Sequence, residues 1–298
     1  MSPRHGAAWV GATALVALIA CSSSGSQPSS TPSPRPSARD NPNNPTPGMP
    51  ATGSAGGAML YRPTEGARYA YERRDSLALQ LPGGATQVQQ FNRTAFLTIS
   101  MAPEGPAYRT TIRLDSLRQE AGGTLPPDSL LRAEGTVWTA TVSAEGKVSD
   151  LKADRASGVV DQVGGSLPAL FPVLPQGGAR EGLAWSDTTQ RALKADAFDA
   201  TEHATTDYRA TKTDGRALVI ETHTNFQRTG KGSQATDPMQ MASQGVRQGT
   251  YRFSDGSVVN AEGADSAEMT ITVPAVGQTV PVSQRATWKI NAIGNGPR

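Results

Sequence analysis

Residues 58–298 predict a mainly β fold dominated by one large antiparallel sheet. Three observations predict it: apolar and polar residues alternate with period two through most of the segment, short turn signals separate the alternating runs, and helical periodicity is scarce. Successive side chains of a pleated strand point to opposite faces, so this alternation gives each strand one dry face and one wet face.

The expected strands run, in chain order, over 67–74, 87–101, 108–114, 136–143, 198–209, 216–227, 249–254, 268–273 and 285–292. In the last of these Ala286, Trp288, Ile290 and Ala292 share one parity, and Arg285, Thr287, Lys289 and Asn291 share the other. The same division separates Tyr108, Thr110, Ile112 and Leu114 from Arg109, Thr111, Arg113 and Asp115, and Met269, Ile271 and Val273 from Glu268, Thr270 and Thr272. Glu145-Gly146, Asp214-Gly215 and Asp255-Gly256 are short hairpin signals, which favour antiparallel meander pairing. Parallel crossovers would need helices, and only about 152–170 offers one. Gly158, Gly164 and Gly165 weaken even that segment, so it is expected as one short helical or irregular connector.

Ahead of this body stand two segments of different character. Residues 1–20 read as a secretory signal: Arg4 and the amino terminus supply positive charge, and 7–20 is an uncharged apolar run too short for a comfortable membrane span. The run ends in Leu18-Ile19-Ala20-Cys21, which resembles the lipobox of bacterial lipoproteins. That resemblance implies cleavage before Cys21, lipidation of Cys21 and attachment to a membrane of the cell envelope. Ser22, where inner-membrane lipoproteins of this kind carry Asp, implies the outer membrane if the organism has one. Two or three acyl chains make a lasting anchor, whereas one binds only marginally. Residues 21–57 are Ser, Pro, Thr, Asn and Gly with almost no large apolar side chain, and are expected as a disordered tether.

Cys21 is the sole cysteine, so no internal disulfide is available and the body must be held by an ordinary core. Lys and Arg number 28 against 26 Asp and Glu and are scattered, so the basic footprint of a nucleic-acid binder is missing. No second apolar run approaches the length of a membrane helix, which leaves the lipid as the expected membrane attachment.

Two stretches of the body echo each other. Glu65-Gly66-Ala67-Arg68-Tyr69, Gly135-Thr136-Val137-Trp138 and Glu145-Gly146-Lys147-Val148 in 65–150 parallel Glu181-Gly182-Leu183-Ala184-Trp185, Gly249-Thr250-Tyr251-Arg252-Phe253 and Asp255-Gly256-Ser257-Val258 in 181–262. The echo reads either as two similar meanders or as coincidence in a glycine-rich chain. Between the copies, 167–175 is the longest apolar run of the body, suited to covering the core or to closing over a cavity.

The lipobox, the tether, the repeated Gly-x-x-aromatic strand openings and Phe171-Pro172-Val173-Leu174-Pro175 before Gly182-Leu183-Ala184-Trp185 together resemble bacterial envelope lipoproteins built on a strongly curved antiparallel sheet, such as the half-barrel of the LolA and LppX type. The resemblance implies an apolar concavity and carries over no functional residue. A closed sandwich is the alternative to an open half-barrel.

An enzyme should show a nucleophile, a base or a metal set at workable spacing. No nucleophile elbow, phosphate loop, dinucleotide fingerprint or zinc-protease motif occurs. No catalytic residue, metal site or cofactor is therefore expected. His203 and His223 belong to strands that pair around Asp214-Gly215 with residue numbers summing to about 430. In that register His223 faces Asp207 and His203 faces Gln227, on the wet face and too far apart to share one metal; a slip of two pairs would be needed to make a metal site. Asp196, Asp199, Glu202 and Asp207 read as a solvated strand edge, and Trp138, Trp185 and Trp288 fit apolar patterns. Asp237-Pro238-Met239-Gln240-Met241 reads as a loop whose two thioethers are a weak soft-metal candidate.

The expectation is a non-enzymatic module on a lipid anchor that holds a lipid or other apolar ligand. The alternatives are a structural or assembly lipoprotein acting through another envelope protein, and a hydrolase with an unfamiliar site.

Overall fold

The first strand lies in the middle of the sheet. β1 (Thr64–Gln80) is followed outward by β2 (Thr86–Glu104), β3 (Ala107–Gln119), β4 (Val137–Ser143) and the edge strand β5 (Val148–Ala153). The chain then crosses to the opposite edge and returns inward through β6 (Ala184–Ala195), β7 (Phe198–Asp214), β8 (Ala217–Gln234), β9 (Asp237–Ser254), β10 (Ser257–Val273) and β11 (Gln278–Ile293), which pairs with β1. The result, in this computed structural model, is one 11-stranded antiparallel sheet curved into a half-barrel. The structure describes residues 58–81, 83–120, 125–195, 198–214, 216–234 and 237–294. The expected signal, Cys21, the tether and Gly215 lie outside them.

Every neighbouring pair except β1 with β11 is also adjacent in sequence; most are joined by short turns, while the β3–β4 connection over 120–136 and the β5–β6 connection over 154–183 are long. The β5–β6 connection forms the strap over the concave face. It contains α2 (Gly158–Gly164) and a 3-10 turn over Leu167–Leu170, preceded in the chain by α1 (Pro127–Ala133), which lies between β3 and β4. Ser157 caps α2, its Oγ accepting the Val160 N–H at 3.2 Å. Gly164, a poor helix former, is there for proximity: a Cβ on it would stand 2.8 Å from Trp138 Nε1. Val159, Val160, Val163, Leu167, Leu170 and Leu174 bury themselves against Leu97, Ile112 and Trp138 of the concave face.

The parities expected for β3, β7, β8, β10 and β11 hold, with one local exception at Ala292, which is exposed near the end of β11. Asp207 pairs with His223 and His203 with Gln227, the register that centres on the β7–β8 turn. Five features differ from the sequence reading. Two are elements absent from that reading, α1 and β5, each too short to show a periodicity of its own. The helical connector is shorter than 152–170, because β5 continues to Ala153. β6 was not foreseen as a strand: Thr188, Thr189 and Gln190 are polar on both parities, which removes the alternation. Residues 237–241 are the start of β9 rather than a loop, and Met239, 1% exposed, packs with Leu77, Leu79, Met269, Ile271, Val280 and Val282 at one end of the concave face.

At the other end the chain's approach to β1 is stitched in place. Met59 exchanges two backbone hydrogen bonds with Ala179 of the strap, the Tyr61 N–H donates to Ala144 O at 2.9 Å, and the Arg62 N–H donates to Gly256 O at 3.1 Å. Tyr61 is buried between Phe171 and Phe253, its hydroxyl donating to Pro172 O at 3.1 Å. Gly146 must be glycine here: its φ is +87°, and a Cβ would fall 2.3 Å from the Tyr61 ring.

Candidate functional site

The middle of the concave face is charged. On β1 the inward parity reads Tyr69, Tyr71, Arg73, Asp75, Leu77, Leu79, so two ionised groups interrupt an otherwise apolar stripe. The same happens at Asp265 on β10, Arg247 on β9, Arg228 on β8, Glu202 on β7 and Arg191 on β6. Strand pairing aligns them in rows. Asp75, Ala286, Asp265, Arg247 and Thr224 form one, and Arg191, Glu202, Arg228, Ser243 and Met269 form another.

These side chains make one continuous belt. Arg73 clasps Asp75, with Nε donating to Oδ2 at 2.9 Å and a terminal nitrogen to Oδ1 at 2.8 Å, and its other terminal nitrogen donates to Asp265 at 3.1 Å. Gln284 Nε2 donates to Asp75 at 3.3 Å, and Trp288 Nε1 donates to Asp265 Oδ1 at 3.2 Å. Arg247 bridges to the second row, 3.5 Å from Asp265 and 3.8 Å from Glu202. Glu202 then accepts Arg228 Nε at 2.6 Å and Arg191 Nε at 2.8 Å. Burial alone would raise the Glu202 carboxyl, but Arg191, Arg228 and Arg247 outweigh it and hold the group well below the usual carboxylate range.

Small residues make room for the large ones. The Trp288 indole lies over Gly263 and Gly249, where a Cβ would stand 2.3 Å and 2.9 Å from its ring. The Phe226 ring lies across Gly245 in the same way, with the Arg228 and Arg247 guanidiniums 4.4 Å and 5.1 Å from its centroid.

Between this face and the strap runs a cleft of about 540 Å³. Phe171, Pro172 and Val173 line it from above, and Tyr208, Phe226, Tyr251 and Trp288 line it from below together with Arg73, Arg191, Glu202, Arg228, Arg247 and Asp265. Lys147 of the β4–β5 turn and Asp187 of β6, paired at 3.1 Å, join the two sheet edges across it. Trp185 stacks on Tyr208 with parallel rings 5.3 Å apart and donates its Nε1–H to Val173 O at 2.8 Å, which fixes the strap to β6. Burial pushes the Tyr208 phenol up to about 12. The 167–175 run therefore serves both roles weighed for it: Leu167, Leu170 and Leu174 cover the core, while Phe171 to Val173 roof the cleft.

Of the residues singled out from sequence, Cys21 and Asp196 lie outside the described residues. His203 and His223 are both exposed on the convex side, and His223 Nδ1 lies 3.4 Å from Gln248 Nε2. Asp199 and Asp207 are exposed, as expected of a wet edge, but Glu202 is 1% exposed and central to the belt, a correction to its reading as a solvated residue. Hydrophobicity assigned it outward and parity assigned it inward, beside Ala204 and Tyr208; parity was the better signal. Met239 and Met241 are strand residues of the second core cluster rather than loop ligands. No group of three or more His, Cys, Asp or Glu suited to a metal occurs among the described residues.

Compared with family models and with curated proteins, the sequence gives no match.

Proposed function

We propose that the chain is a bacterial envelope lipoprotein, anchored through lipid on Cys21, whose half-barrel is a non-enzymatic module that holds a lipid or other largely apolar ligand. The observation that carries the reading is the cleft: about 540 Å³ remains between the strap and the concave face, within the range of small-molecule sites, and rings of Phe171, Tyr208, Phe226 and Trp288 line it. A body built only as a spacer would fill that space with its own side chains. The buried carboxylates of the belt that line the cleft, Glu202 and Asp265, are ion-paired to arginines, which favours binding over general acid–base work.

Displacement of a neutral apolar fluorophore such as N-phenylnaphthylamine tests the reading. Saturable uptake, reversed by added lipid and weakened by filling the cleft with Ala204→Trp, is the expected result. No uptake would favour the assembly role through a protein partner. For the anchor, metabolic palmitate labelling of the intact chain in a bacterial host should be lost in Cys21→Ala. Equal labelling of both would refute the anchor.

A further inference from the structure

The belt holds four guanidiniums, Arg73, Arg191, Arg228 and Arg247, against three carboxylates, Asp75, Glu202 and Asp265, an excess of one positive charge. The arginines are not equally engaged. Arg73 directs hydrogen bonds to two carboxylates. Among the described residues the Arg228 side chain donates its Nε–H to Glu202, and the Arg247 side chain makes no hydrogen bond, its two ion pairs being 3.5 and 3.8 Å long. Both guanidiniums line the cleft, within 4.4 and 5.1 Å of the Phe226 ring centroid. Planar donors held by ring contacts, whose terminal N–H groups make no hydrogen bond among the described residues, are suited to bind a carboxylate or a phosphate.

Desolvating a charge without a counter-charge is unfavourable, and apolar side chains on this parity would have given the sheet a simpler core. A monoanion seated at Arg228 and Arg247 removes that penalty. We infer that the cleft takes an amphiphile with a single anionic headgroup, carboxylate or phosphate, which Arg228 and Arg247 bind while its apolar part lies under Phe171 to Val173. The inference rests on the binding-module reading above and specifies its ligand class.

The full chain carrying Cys21→Ser is titrated with dodecanoate, dodecyl phosphate, dodecanol, acetate and inorganic phosphate. The chain should bind one or both twelve-carbon anions about tenfold or more tighter than dodecanol, the two anions distinguishing carboxylate from phosphate as the head recognised. Acetate and inorganic phosphate should bind far more weakly. In Arg228→Gln/Arg247→Gln the preference should fall to about twofold or less, with dodecanol affinity retained. Equal binding of the anions and dodecanol by the parent chain would overturn the headgroup assignment and leave the binding module standing. Failure of all three twelve-carbon probes would overturn both. Acetate or phosphate binding as tightly as its long-chain counterpart would overturn the amphiphile class. Should the double variant melt before binding can be read, Arg228→Lys and Arg247→Lys decide: each keeps the charge but not the planar fork, and an undiminished anion preference in both would overturn the assignment.

Discussion

Glu202 and Arg228 face each other directly across β7 and β8, and the Arg228 Nε–H reaches the Glu202 carboxylate at 2.6 Å. The pairing that builds the sheet thus also places one of the belt's shortest contacts, on a face whose ends are apolar. Replacing Glu202 by Gln leaves Arg191, Arg228 and Arg247 without the anion they share. The expected loss is about 3 kcal/mol in urea-induced unfolding. A loss under about 1 kcal/mol would indicate that water in the cleft already screens the belt.

Stability should fall in acid with a sign set by Glu202. Its carboxyl titrates lower folded than unfolded, where it lies near about 4.3, so its contribution is complete above that value and declines as pH falls toward the folded value. The acid limb of a stability-against-pH curve should be shallower in Glu202→Gln than in the parent chain.

The alkaline limb has the opposite origin. Tyr208, raised by burial to about 12, stabilises the fold fully below about 10, and this is lost as pH climbs toward 12. Buried Tyr61 and Tyr251 are raised as well. Phenolate absorbance of these rings should appear together with unfolding rather than before it, and Tyr208→Phe should flatten part of the alkaline decline.

Gly263→Ala should be costly for its size. The new Cβ would meet the Trp288 ring and the Gln248 carbonyl oxygen, each at 2.3 Å, so turning the indole alone cannot relieve the clash. Destabilisation of about 1–3 kcal/mol is expected, with a shift in tryptophan emission as the Trp288–Asp265 hydrogen bond is disturbed. An unchanged spectrum with unchanged stability would mean that the sheet yields locally.

Tyr61→Ala should cost about 3–5 kcal/mol, because the ring fills the space between Phe171 and Phe253. Tyr61→Phe should cost only about 1 kcal/mol, the share of the hydrogen bond to Pro172 O. The comparison, made by thermal unfolding, separates the packing from the hydroxyl.

Much of the sheet was legible because its strands obey parity. The β7–β8 register followed from Asp214 and Gly215 as the turn together with the shared parity of the dry positions Ala204, Tyr208, Leu218, Ile220 and Phe226. The belt was less legible for the complementary reason. Arg73 and Asp75 sit between Tyr71 and Leu77 on the inward parity, yet charge alone assigns them to solvent, and only strand pairing brings Asp265, Arg247 and Glu202 alongside to neutralise them. A charged residue on the dry parity of a strand is the signal that finds such a site. The strap's path depends on contacts such as Trp185 to Val173, formed only once both sheet edges exist.

Met59, Tyr61 and Arg62 give the molecule a mechanical polarity. Tension delivered through the residues before 58 meets the Met59–Ala179 bridge first, then the bond to Ala144, then the one to Gly256, a sequence in which contacts release singly rather than together. The first contact to give belongs to the strap, so a pull from that end would loosen the roof of the cleft before it disturbed a single strand of the sheet.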